Sequence, residues 1–163
     1  MKAALLSILL LAASAFAAEK APEFTLTDLD GKRVRLSDLL KRGPVVLDFW
    51  ATWCKPCIKS FPELEKIYQK YKDKGLTVVG INEDGPRNQK NVKPFVKKLG
   101  VTFPILFDRK NELMRKMKVQ ALPTTFLVAR DGSIVDMHVG FSSSGIKKLD
   151  AQIAALLRKA GKK

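Results

Sequence analysis

Between Phe24 and Leu36 apolar and polar residues alternate on either side of Asp30-Gly31, the pattern of two short strands joined by a tight turn. Pro44-Val-Val-Leu-Asp-Phe-Trp is instead a compact apolar run, as expected of a strand covered on both faces. From Lys55 to Lys74 the period changes. Ile58, Phe61, Leu64, Ile67, Tyr68 and Tyr71 recur at three- and four-residue spacing, which predicts an amphipathic helix that stops at Gly75. Leu76 to Ile81 predicts another buried strand, Asn88 to Leu99 a helix ending at Gly100, Phe103 to Phe107 a short strand and Lys110 to Lys118 a further helix. Thr124 to Ala129 and Ile134 to Val139, joined by Arg130-Asp131-Gly132, predict a second hairpin, and Ser142 to Lys159 a closing helix. The order is β-β-β-α-β-α-β-α-β-β-α. Strands alternating with helices, then a hairpin and a helix, predict a three-layer α/β sandwich around a mixed central sheet, built as one domain without internal repeats or linkers.

The first residues depart from this pattern. Met1-Lys2, the apolar run from Ala3 to Ala13 and Ala15-Phe16-Ala17 have the charged, apolar and small-residue regions of a secretory signal. Residues 1–17 are therefore predicted to be a leader cleaved after Ala17, and residues 18–163 the folded domain. The apolar stretch Ala3 to Ala18 is 16 residues long, short of the roughly 20 that a membrane-crossing helix needs. An uncleaved anchor is the alternative, and it leaves the domain in the same periplasmic or extracytoplasmic compartment. No cysteine lies near the junction to carry a lipid.

Composition narrows the class. Hydrophobic residues make up 46% of the 163, with only 10 Gly and 8 Pro, which excludes a disordered or low-complexity chain. Thirty Lys and Arg against 16 Asp and Glu give a charge of +14, or +13 without the leader's one lysine. The excess is spread along the chain and no aromatic-plus-basic platform accompanies it, so it reads as solubility and attraction to anionic partners, not as nucleic-acid binding.

The chemistry rests on two cysteines. Cys54-Lys55-Pro56-Cys57 lies between a buried strand and the long helix, which places Cys54 at or just before the helix N-terminus. Free N–H groups and the positive end of the helix dipole favour a thiolate there. Pro56 suits the first turn, where its missing N–H costs nothing. Two intervening residues on that turn let the sulfurs approach bonding distance, so the pair reads as a dithiol that closes reversibly. A purely structural bridge would close too short a loop to stabilise much. A metal-holding pair lacks company, because His138 is the only histidine and no further Cys or Met accompanies the motif. Neither metal nor cofactor is expected.

Val46-Leu-Asp-Phe-Trp-Ala-Thr-Trp-Cys-Lys-Pro-Cys resembles the active-site segment of the thioredoxin superfamily. Pro62 matches that family's helix-kinking proline, and Ala121-Leu122-Pro123-Thr124-Thr125-Phe126 its cis-proline strand. Ala21-Pro-Glu-Phe-Thr-Leu-Thr-Asp-Leu-Asp-Gly-Lys, the leader and Trp-Ala-Thr-Trp-Cys are similar to the exported TlpA/ResA/DsbE branch, and the resemblance covers nearly the whole mature chain. It implies a thioredoxin-like sandwich with an added N-terminal β-hairpin.

The resemblance further implies that Cys54 is the attacking thiolate and Cys57 the resolving thiol of thiol-disulfide exchange. Asp48 occupies the place of thioredoxin's buried carboxylate, where it would accept the Cys57 proton; the alternative is a hydrogen-bonded strand aspartate without a proton role. Glu83 resembles an acidic residue near the ResA-type site, or is a solvated loop carboxylate. Pro123 is expected cis, exposing the backbone of Leu122 to an extended substrate. Lys55 either steadies the thiolate and attracts acidic substrates or is simply solvated. Trp53 reads as an exposed rim beside the sulfurs, Trp50 as core and His138 as structural or surface. A membrane thiol-disulfide donor of the DsbD/CcdA kind and oxidised exported proteins are the expected partners of a monomer. Two other functions are considered. A thiol peroxidase needs Thr or Ser three residues before its reactive cysteine, where this chain has Ala51; a copper carrier needs Cys-x-x-x-Cys and a partnering histidine, and neither stands in place.

Overall fold

The computed structural model describes residues 19–160; the predicted leader lies outside them. Among the described residues seven strands form one mixed sheet: β1 (Thr25–Asp28), β2 (Arg33–Arg35), β3 (Val45–Trp50), β4 (Thr77–Asn82), β5 (Ile105–Phe107), β6 (Thr124–Val128) and β7 (Ile134–Val139). Their spatial order is β2-β1-β5-β4-β3-β6-β7. The central three, β3, β4 and β5, run parallel, and β1 and β6 pair antiparallel at the two flanks of this trio. The described residues also form five α-helices: α1 (Leu36–Leu40), α2 (Lys55–Tyr71), α3 (Gln89–Leu99), α4 (Glu112–Lys116) and α5 (Ser143–Ala160).

Every residue of β3 and β4 is buried, because helices cover both sheet faces and each strand lies between two others. Val46, Trp50 and Val78 pack with Phe61 and Leu64 of α2, Val92 and Val96 of α3, and Leu149 and Ile153 of α5. Their alternates Val45, Leu47, Phe49, Val79 and Ile81 pack with Leu36 of α1 and with Leu113 and Met117 at α4. These are the three layers expected from the chain's periodicity.

Two differences from the predicted elements have physical causes. The short helix α1 follows β2 directly, and no side chain next to it in sequence caps it; instead Glu23 accepts from the Ser37 N–H and hydroxyl at 3.2 and 3.0 Å. A carboxylate at a helix N-terminus stabilises it, but one supplied from 14 positions away leaves no local cap signal. The long helix keeps α-geometry only to Tyr71, then tightens into a 3-10 turn over Lys72–Lys74 before Gly75 takes the left-handed conformation at φ 98°. The first hairpin joins the main sheet through antiparallel pairing of β1 with β5.

Candidate active site

At the end of β3 the chain turns through Ala51–Trp53 and starts α2 at Lys55. Cys54 is the N-cap residue, and its sulfur accepts the Cys57 N–H at 3.3 Å. Pro56 lies in the first turn as expected. The two cysteines form a disulfide, S–S 2.05 Å, with Cα atoms 5.3 Å apart. Cys57 is fully buried and Cys54 keeps 4% of its surface, while Trp53 beside it is 69% exposed. Lys55 and Pro56 are exposed too. The pair therefore sits just beneath an exposed rim, with Cys54 the less deeply buried of the two.

The Leu122–Pro123 peptide bond is cis. Antiparallel pairing of β3 with β6 sets Thr124 opposite Phe49, so Leu122 and Pro123 lie at the sheet end from which the Cys54 turn emerges. Thr124 Oγ1 donates to the Ala121 carbonyl at 2.7 Å and fixes this turn.

Asp48 stands in register between Gly80 of β4 and Thr125 of β6. It belongs to the face of β3 that carries Val46 and Trp50, which pack with both cysteines. Thr125 Oγ1 donates to Asp48 Oδ1 at 2.7 Å, and Oδ2 has no hydrogen-bond partner among the described residues. Complete burial pushes the carboxyl up to about 7, against the pull of the Thr125 hydrogen bond. A buried group poised there can take up and give back a proton near neutral pH.

Glu83 is not a solvated loop carboxylate: its residue is only 6% exposed. Its N–H donates to the Trp50 carbonyl at 2.9 Å, which ties the end of β4 to the start of the cysteine turn. Its side chain accepts from Asn111 Nδ2 at 2.9 Å, at the head of α4. Burial, joined by the negative charge of Asp108 and opposed by the Asn111 hydrogen bond, pushes it up to about 8. The structure thus gathers Glu83 with Asp108 and Asn111 toward α4, whereas Asp48 belongs to the α2 side.

Asp84 is a residue the sequence did not single out. It is 2% exposed and accepts from the Thr52 N–H at 2.8 Å and the Thr52 hydroxyl at 2.7 Å, with Asn82 and Asn88 donating to the same carboxylate. Burial opposes its charge, but these hydrogen bonds prevail and hold it below the usual carboxylate range. Asp84 is the clamp of the turn that carries Trp53 and Cys54. The acidic run Glu83-Asp84 was visible; its partner Thr52, 32 positions away, was not. Asp84→Ala is expected to lower stability by about 2 to 3 kcal/mol at neutral pH, the worth of hydrogen bonds to a charged group. Because the native carboxyl is depressed, that contribution fades as pH falls through its folded pKa, so wild-type and variant urea midpoints should converge in acid.

The AhpC/TSA family model matches residues 17–137. The chain belongs to that family. It is 40% identical to a thiol-disulfide oxidoreductase ResA of Bacillus cereus over 122 residues, 75% of this chain and 69% of the relative. Among solved structures it superposes on a Chlorobium tepidum protein assigned as thiol:disulfide interchange protein DsbE, with TM-score 0.79 and 38% identity over 86% of this chain and 96% of that one. A secreted disulfide oxidoreductase of Mycobacterium tuberculosis gives TM-score 0.68 and 26% identity, covering 82% and 96%. With its disulfide at the head of α2, this family member is a thiol-disulfide oxidoreductase of the ResA/DsbE type, and its fold is thioredoxin-like with the N-terminal strands β1 and β2 added.

Proposed function

We propose that the protein is an extracytoplasmic reductant of disulfides in other exported proteins. The observation that carries this reading is the asymmetric pair at the α2 N-terminus: Cys54 beneath an exposed rim, Cys57 and the Asp48 carboxyl in the buried layer behind it. The leader pattern of residues 1–17 and the secreted relative support the compartment.

In the reduced enzyme the Cys54 thiolate attacks one sulfur of a client disulfide, and the other client sulfur leaves as a thiolate. Cys57 then gives its proton to Asp48 and attacks the Cys54 sulfur, which expels the second client thiolate and closes Cys54–Cys57. Two electrons have passed to the client. Trp53, Lys55, Pro56, Leu122 and Pro123 form the surface that the client touches, its extended chain pairing with the Leu122 backbone. Glu83 is a second proton-holding group at the edge of the cysteine turn. A membrane dithiol donor of the DsbD/CcdA kind restores the reduced enzyme, which works as a monomer. Apocytochrome c is the client class favoured by analogy with the ResA/DsbE group.

Equilibration with glutathione tests the direction. The expected potential lies nearer the thioredoxin value of about −270 mV than the DsbA value of about −120 mV; a value at the DsbA end would make the protein an oxidant. Clients are tested by expressing a Cys57→Ser variant with its leader. Recovery of exported cysteine proteins as mixed disulfides on Cys54 supports the reading, and capture of abundant proteins at random overturns the dedicated-client part of it.

A further inference from the structure

On the sheet face covered by α2 and α5, polar side chains from three adjacent strands stand in one row. Asp48 of β3 lies opposite Thr125 of β6, and Thr125 lies opposite His138 of β7. Beyond the Thr125–Asp48 hydrogen bond, Thr125 and His138 line a recess of about 20 Å³ with Ser60 of α2 and with Ser142 and Gly145 at the start of α5. That is room for about one water molecule. Nε2 of His138 is buried and, among the described residues, has no hydrogen-bond partner. The residue as a whole is only partly buried, so the imidazole reaches from the recess toward solvent.

Helix α5 is shaped to admit this ring. A Cβ at Gly145 would come within 2.5 Å of His138 Nε2 and 2.6 Å of Cε1. Gly145 stands in the first turn of α5, and the histidine ring occupies the space its side chain would take. The Ser142 hydroxyl accepts the Gly145 N–H at 3.0 Å, so the helix is capped at the same point.

We propose that His138 is a positioning residue of the exchange reaction, passing protons between the Asp48 carboxyl and solvent through Thr125 and a water molecule in the recess. The proposal rests on the reading that Asp48 receives the Cys57 proton. That carboxyl is wholly buried, so a proton taken up in one turnover needs a route out before the next. Once Asp48 is protonated, the Thr125 hydroxyl, which donates to Oδ1 of the ionised carboxylate, turns toward the water; Asp48 then gives its proton to Thr125 Oγ1, the hydroxyl proton passes to the water, and the water's to Nε2. The imidazole releases a proton at its outer edge, and the reverse order recharges Asp48; no electron moves. Imidazole can take a proton at one ring nitrogen and release one at the other.

The charged surroundings are few. From β7, Asp136 shares the row's face and holds Lys148 of α5 at 2.8 Å, a pair of opposite signs. From β3 comes Asp48 itself. The residues of β6 and α2 that line the recess are Thr125, Leu127, Ser60 and Leu64, none of which titrates.

The test uses the full domain in multiple-turnover reduction of insulin disulfides by dithiothreitol, from about pH 6 to pH 8. His138→Phe keeps a ring in place but removes both nitrogens. Its expected rate at neutral pH is about tenfold lower, modest for the loss of an acid–base group, and added free imidazole restores it. Thr125→Val should show the same loss without rescue, because the break then lies inside the protein. His138→Phe with a wild-type rate and pH profile overturns the relay, as does a loss that imidazole does not repair. Melting temperatures identify a variant that fails to fold; in that case Gly145→Ala, which displaces the ring and keeps its nitrogens, must slow turnover in a way that imidazole repairs, and a wild-type rate there overturns the relay. If wild type itself does not reduce insulin, the exchange reading fails first, so the two failures are distinct.

Discussion

Cys54→Ser is expected to abolish disulfide exchange, lowering kcat/KM by on the order of 10⁴-fold or more, as removal of a nucleophile does. The reasoning is positional. Cys54 caps α2, so the Cys57 N–H points at its sulfur and the helix dipole favours a negative charge there. Hydroxyl oxygen at the same place has neither the acidity nor the nucleophilicity for the attack. Cys57→Ser should behave differently: the first step survives, the second is lost, and a mixed disulfide with the substrate accumulates on Cys54. Mass spectrometry after a single addition of an oxidised peptide reads the adduct directly. An adduct on Cys57 in the Cys54→Ser protein, formed at the wild-type rate, would reverse the two roles and remove the basis of the proposed mechanism.

Asp48→Asn has the second large effect, and it is on stability. Burial raises the folded carboxyl from 3.8 to about 7, so between these values the folded state holds a proton that the unfolded state has released. Stability from this group is therefore fully present below about pH 4 and is lost progressively as pH rises to about 7. A shift of about three units corresponds to about 4 kcal/mol. Urea unfolding of oxidised protein should show the wild type weakening across that window. Asp48→Asn should weaken much less and end up to about 4 kcal/mol the more stable of the two at pH 8, while losing proton transfer to the resolving cysteine. A shallower slope remains in the variant, because Glu83, raised to about 8, adds its own loss with the same sign. Parallel curves for the two proteins would show that Asp48 titrates as an ordinary carboxylate and would end its candidacy as proton acceptor.

Much of this site was legible because its chemistry is local in the chain. Cys54, Pro56 and Cys57 share one helical turn, and a buried strand before it with an amphipathic helix after it identifies that turn as a helix N-terminus. Asp48 was readable from the resemblance of its segment to that of thioredoxin, Trp50 as core and Trp53 as rim. Glu83 was harder. An acidic residue after a strand looks the same whether it meets solvent or turns inward, and only Asn111 and Asp108, brought up by the β5–α4 connection, made it a buried group. Asp84 and α1 were missed for a shared reason: each depends on a partner at a distance, Thr52 for the one and Glu23 for the other.

The amino-acid sequence by itself determined the alternation of elements, the position of the reactive pair and the residue types around it, since these follow from hydrophobic period, turn chemistry and spacing along a few neighbouring positions. Tertiary structure alone decided which polar groups meet. Thr125 reaches Asp48 across 77 positions, and His138 joins that row only because β7 pairs with β6. The physical reason is that strand register and helix packing are settled by burial summed over whole layers, so the neighbours of a buried carboxyl, and with them its proton affinity, are properties of the assembled layers and not of the segment that carries it.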